Sequence, residues 1–154
     1  NIRLQSRPFL QWAAVDVDNI SVCENETVEL KVLTIESLTS GGRCQLLLSG
    51  ERKHYLLVTP LGIQQQLEFV GIHKPRLVNR DIEGVLVNAG IEQRGLLLSG
   101  GLLNIVNPKQ VAFLGTLTPA GGFENSVDVE LLRRLAARKI EVKKTNSRGM
   151  LLKL

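Results

Sequence analysis

The side chains best suited to nucleophilic or metal chemistry are scarce in this chain: His54, His73, Cys23 and Cys44 are the only histidines and cysteines among 154 residues. A thiol nucleophile requires a base beside it, so Cys44 with His54 is the pair to consider. Their ten-residue separation across a hairpin carries no specificity. Neither histidine stands at metal-ligand spacing from another His, Cys or acid. Two cysteines make neither a zinc site nor a disulfide scaffold; they read as buried thiols in strands, with a single disulfide as the alternative. Asp16, Asp18, Glu24, Glu26 and Glu29 cluster near the N-terminus. They lack the oxygen density and turn glycine of a calcium loop, and read as a solvated acidic edge that discourages strand pairing. Gly41-Gly42, Gly100-Gly101 and Gly121-Gly122 read as turns, because no Lys-Ser or Lys-Thr follows them. The last pair precedes a helix start, where an anion could sit. These residues predict no catalytic group, no metal, no cofactor and no enzymatic activity.

Binding chemistry is better represented. The net charge of +4 is unevenly placed: residues 127–154 hold eight basic and three acidic side chains, whereas residues 1–126 hold eleven and twelve. Arg133, Arg134, Arg138, Lys139, Lys143 and Lys144 form a candidate partner surface. Such a field suits an acidic partner or the phosphates of a nucleic acid; the plain alternative is a solvated helix face. Aromatics for base stacking are few. Tyr55, flanked by Arg52, Lys53 and His54, is the one with basic neighbours and joins the candidate surface, whereas Phe69 and Phe113 lie inside apolar runs. A protein partner or a second copy of the chain is expected, with nucleic acid as the alternative. No apolar run approaches the roughly 20 residues that span a bilayer, so no membrane span is expected. Two sequons, at Asn19 and Asn25, stand against about one expected by chance from this composition, which hardly favours secretion; the compartment stays open, with an intracellular one slightly favoured.

The elements that must position these residues read as strands. Leucine supplies 27 of the 154 residues, in short runs punctuated by Gly, Pro, Asn and Ser. Val28, Leu30 and Val32 alternate with Glu29 and Lys31. Cys44 to Leu48, Tyr55 to Thr59, Leu67 to Ile72, Gly84 to Asn88, Arg94 to Leu98, Leu102 to Val106 and Val111 to Leu117 continue the series, and Met150 to Leu154 could end it. One stretch differs. Val127, Leu131, Leu132, Leu135 and Ala136 form an apolar stripe with Asn125 or Ser126 as a cap, which predicts a helix over 126–139. The fold predicted is a single mostly β domain over 1–154, a small barrel or sandwich of short strands with one C-terminal helix. Leu46 to Gly50 recurs as Leu96 to Gly100, which reads as two hairpins with similar turns.

Residues 82–117 resemble the oligonucleotide/oligosaccharide-binding barrels of the scaffold subunits that accompany RecQ helicases and topoisomerase III. Gly95-Leu96-Leu97-Leu98, then Asn107 to Val111, then Leu114-Gly115 before a helix carry the likeness. The loop between Leu98 and Val111 is longer than that family's, and residues 1–80 share nothing with it. A competing resemblance, over Ile82 to Ile91 and Gly100-Gly101-Leu102, is to the effector-binding domains of archaeal nitrogen-responsive repressors, which implies a small metabolite such as 2-oxoglutarate. The function expected from all of this is a non-enzymatic binding or adaptor module acting through protein–protein or nucleic-acid-associated contacts. A small-molecule-responsive regulatory domain and a self-assembling structural subunit are the alternatives.

Overall fold

The computed structural model describes residues 2–4, 27–40, 43–59, 61–88, 98–114, 129–144 and 150–152. A two-stranded antiparallel sheet pairs β1 (Ile2–Leu4) with β9 (Met150–Leu152). The main sheet has seven strands in chain order: β2 (Thr27–Leu30), β3 (Leu33–Ser40), β4 (Arg43–Ser49), β5 (His54–Val58), β6 (Ile82–Asn88), β7 (Gln110–Leu114) and β8 (Glu141–Lys144). From β2 to β5 it is an antiparallel meander; from β5 to β8 every pairing is parallel. Parallel neighbours require crossovers, and these carry α1 (Ile63–Val78), α2 (Gly100–Val106) and α3 (Val129–Ala137).

This is an α/β fold with a mixed open sheet, and it corrects the expectation of a small barrel or sandwich. Leu67 to Ile72 and Leu102 to Val106, read as strands, lie in α1 and α2. Among the described residues the order β2 to β8 leaves two edges, so this sheet does not close. The likeness of residues 82–117 to a barrel falls with it, since β6 and β7 are parallel neighbours joined through a helix. Other readings survive. β3 and β4 pair antiparallel as a hairpin, with Gly41 and Gly42 outside the described residues, and the C-terminal helix forms with Leu131 and Leu135 buried. The strand expected over Arg94 to Leu98 lies almost wholly outside the described residues.

The sequence pattern hid α1 for a physical reason. Its buried positions are Gln66, Phe69, His73 and Leu77, spaced as one helical face, yet two of the four are polar. Its exposed side carries Ile63, Leu67, Ile72 and Val78. Polarity is therefore nearly inverted on the two faces, and Pro75 inside the last turns adds a breaker. The helix holds because each buried polar group is bonded: Gln66 Nε2 donates to Leu61 O at 3.1 Å, and His73 Nε2 lies 2.8 Å from Thr39 O. Gln65 Oε1 accepts from Gly62 N–H at 3.0 Å and closes the first turn.

The three helices share one face of the sheet. Phe69, Leu77, Leu102, Leu103, Val106, Leu131 and Leu135 pack there on Leu38, Leu47, Leu56, Val58, Val85, Val87, Val111 and Phe113. One crossover hand repeated while moving in one direction across a sheet puts every helix on the same side. The other face buries Leu33, Leu48, Tyr55, Leu57, Leu86 and Ala112. β5 and β6 are thus apolar on both faces, as central parallel strands are.

Candidate functional site

The parallel strands give the sheet two unlike ends. At the amino ends of β5, β6 and β7, long charged side chains close the surface. Lys109 Nζ lies 2.9 Å from Glu83 Oε2 and 3.4 Å from Asp81 Oδ2, and Lys53 Nζ is 3.6 Å from Glu83 Oε1. The hydrogen bond from Lys109 holds the Glu83 carboxyl below its usual range, against a smaller opposing effect of burial. Arg80 reaches Glu36 Oε2 and Ser49 Oγ, each at 3.1 Å, and Arg76 adds a second contact to Glu36 at 3.1 Å. These pairs tie the meander, α1 and the parallel strands together, and each charge is answered by its opposite.

At the carboxyl ends, buried amides take over. Gln45 on β4 accepts from Thr59 N–H through Oε1 at 2.6 Å and donates through Nε2 to Thr59 Oγ1 at 3.0 Å. Thr59 Oγ1 also faces Cys44 O at 3.5 Å. Gln66 on α1 accepts from Ser99 N–H at 2.6 Å while donating to Leu61 O. Ser99 caps α2, its Oγ accepting from Leu102 N–H at 3.1 Å. Two glutamines therefore pin the segment leaving β5 and the start of α2. In open α/β sheets the crevice beyond the carboxyl ends of the strands is where ligands sit. This edge is the candidate site. Gln45, Gln66, Thr59 and Ser99 carry no signal in the sequence, since uncharged amides and hydroxyls in apolar runs form no motif.

The residues expected to form a partner surface are only partly brought together. Arg133, Arg134, Arg138 and Lys139 lie along α3 and its end. Arg134 Nε is paired with Glu130 Oε1 at 3.2 Å, and Arg138 Nη2 donates to Asn104 Oδ1 at 2.6 Å. Lys143 pairs with Glu141 at 3.7 Å on β8. Val142 packs on the helix-side core, so strand alternation turns Lys143 to the other face of the sheet. Lys144 is the last residue of β8. Tyr55 is corrected outright: it is 2% exposed, under the second face, and hydrogen-bonded to Gln110. Its basic neighbours in sequence do not share its environment, because alternate residues of a strand face opposite ways. Burial, with the charge of Glu83, raises the Tyr55 hydroxyl pKa.

No protein family matches this chain, and no curated protein matches it. Solved structures do. The chain is similar to the E377D mutant of CmlA β-hydroxylase, with a TM-score of 0.58 and 13% identity, over 86% of this chain and 34% of that one. It is also similar to an isothiocyanate hydrolase from Delia radicum gut bacteria, with a TM-score of 0.48 and 13% identity over 86% and 59% of the two chains. A zinc-dependent hydrolase of the metallo-β-lactamase superfamily from Thermotoga maritima gives 0.44 and 16% over 73% and 57%. The chain thus spans between about a third and three fifths of the structures it matches. Among the described residues, no three His, Cys, Asp or Glu side chains converge to hold a metal ion. The expectations of a non-enzymatic adaptor, a regulatory ligand-binding domain or a self-assembling subunit were built on a barrel that is absent. They are withdrawn with it: the sheet is open and mixed, and the fold it shares with the CmlA β-hydroxylase mutant is α/β, not that of a nucleic-acid-associated barrel.

Proposed function

We propose that this chain is the sheet-and-helix body of an enzyme whose substrate is held at the carboxyl-terminal edge of β5, β6 and β7. The observation that carries the reading is the pair of buried glutamines, Gln45 and Gln66, which hold the segment after β5 and the cap of α2 in fixed positions there. Rigidly held elements are what the orientation of a reacting substrate requires. The likeness in fold to CmlA β-hydroxylase supports the reading. Hydrolysis is the reaction class we put first, as the simplest that uses only water as second substrate.

The test is turnover by the purified 154-residue chain on ester, lactone, thioester and diphosphate substrates. Thr59→Val keeps the volume of the side chain and removes its hydroxyl at the proposed edge. It should lower kcat/KM about tenfold or more. Lys109→Ala at the opposite edge should leave kcat/KM within about twofold. Absence of turnover on every class, or turnover that ignores Thr59→Val and falls with Lys109→Ala, rejects the proposal.

A further inference from the structure

We propose that a second copy of this chain docks on the exposed flank of α1, the two helices lying antiparallel about a two-fold axis at Gly71. This pairing stands apart from the enzymatic reading above. The buried positions of α1 are Gln66, Phe69, His73 and Leu77. Ile63, Leu67, Gly71, Lys74 and Val78 recur at intervals of three and four on the neighbouring side, and all five are exposed. Ile63 is 61% exposed, Leu67 58% and Val78 54%. Single exposed apolar side chains are ordinary, but three along one stripe of a 16-residue helix make a contiguous face.

Gly71 stands at the middle of that stripe. Glycine inside a helix is disfavoured relative to alanine, because more backbone freedom is lost and no side chain packs. The chain's own packing does not require it, since a Cβ at this position meets nothing within 4 Å. At an exposed helix centre, a missing side chain lets another helix approach closely, because the distance between axes is set by the side chains at the crossing.

Charge selects the occupant. In an antiparallel pair centred on Gly71, positions equally far before and after it come level on the two helices. Glu68 and Lys74 are those positions, three residues to either side, so Glu68 of each copy meets Lys74 of the other. Val78 of each copy likewise comes level with Ile63 of the other. Within one helix Glu68 and Lys74 are not neighbours, which stand three or four apart. Both are exposed, and among the described residues neither takes part in an ion pair. A parallel pair would set Glu68 beside Glu68 and is disfavoured. A two-fold contact uses the same patch on both copies, so assembly stops at two. One helix per copy is a small contact, below the roughly 1,200 Å² of stable interfaces, so the pair is reversible.

The experiment is sedimentation equilibrium of the full 154-residue chain from about 5 to about 500 µM, where a reversible monomer–dimer equilibrium is expected. Glu68→Lys and Lys74→Glu should each weaken self-association about tenfold or more, since each sets like charges together twice per dimer. Mixed in equal amounts, the two variants should pair with each other within about threefold of the native affinity, because each supplies the charge the other lacks. Gly71→Gln should weaken the dimer and leave the circular dichroism of the monomer unchanged, as its side chain has open space there. Val32→Asp, at a residue 71% exposed between β2 and β3, should leave association within about twofold. A chain monomeric at the highest concentration overturns the proposal and leaves the flank to a different partner. So does a dimer indifferent to both charge reversals or to Gly71→Gln, and so do reversed chains that fail to combine.

Discussion

Gly84 shows how one residue sets the spacing of the central strands. It lies in β6 between Tyr55 and Gln110, its partners on β5 and β7. An added Cβ would stand 2.9 Å from Gln110 Cγ and 3.0 Å from Tyr55 Cδ1. Both neighbours are packed in the second face, so neither swings away freely. Gly84→Ala should destabilise by about 1–3 kcal/mol in urea unfolding, the usual range for overpacking. His54 supplies a pH dependence. Burial first, then Arg80, holds its imidazole below the ordinary value, with Asp81 opposing. The unfolded chain protonates this group near pH 6.5, before the folded chain does. Stability present at about pH 7 is therefore lost as the pH falls through that value toward the folded pKa. Thermal melts of His54→Gln should decline less than those of the native chain between about pH 7 and pH 5. Parallel declines would show that other groups set the slope.

Elements here are decided at their ends and by their buried polar groups. α3 closes on Lys139 with φ of 57°, a left-handed conformation; Lys139 N–H bonds Ala136 O at 3.0 Å and Ile140 N–H bonds Leu135 O at 3.0 Å. This is the paired terminal arrangement in which glycine is favoured. Lys139→Gly should raise stability by about 0.5–1 kcal/mol, read as an upward shift in Tm; a fall would mean the lysine side chain contributes elsewhere. α1 makes the opposite case, where an apolar replacement harms. Gln66→Leu leaves Ser99 N–H and Leu61 O without the partners they have now, 0% exposed at the amide that serves both. A loss of about 2–4 kcal/mol is expected, with the α2 amides losing hydrogen-exchange protection before those of β3. Uniform loss across the sheet would show that Gln66 supports the core as a whole and not the α1–α2 junction.

On the scale of the molecule, stability should follow position in the sheet. β5 and β6 are covered on both faces and paired on both sides, whereas β2 and β8 are each paired on one side within the seven strands. Native-state hydrogen exchange should therefore rank Leu56, Leu57, Val85 and Leu86 amides as the slowest and those of β2 and β8 as markedly faster. If β8 matched β5, its edge would be covered in solution. Among the described residues the helices share one face, the ion pairs of Lys53, Asp81, Glu83 and Lys109 lie at the amino edge, and the buried amides of Gln45 and Gln66 lie at the carboxyl edge. No helix among the described residues is long and apolar enough to cross a membrane.

Some of this was determined by local sequence. Alternation in Val28 to Leu30, the apolar runs of β4 to β7 and the stripe of α3 with Leu131 and Leu135 inside are each written in neighbouring residues. Short range physics suffices for them, since a period of two or 3.6 residues needs no distant partner. The direction of the strands does not have that property. The same run of Leu and Val serves an antiparallel or a parallel strand, and the choice depends on whether the intervening segment forms a helix. α1 becomes one only because Leu61 O, Ser99 N–H and Thr39 O, from 5 to 34 residues away, satisfy Gln66 and His73. Burying those polar side chains without partners would forbid the helix, so tertiary contact decides it, and with it the crossover, the parallel sheet and the edge where the site is placed.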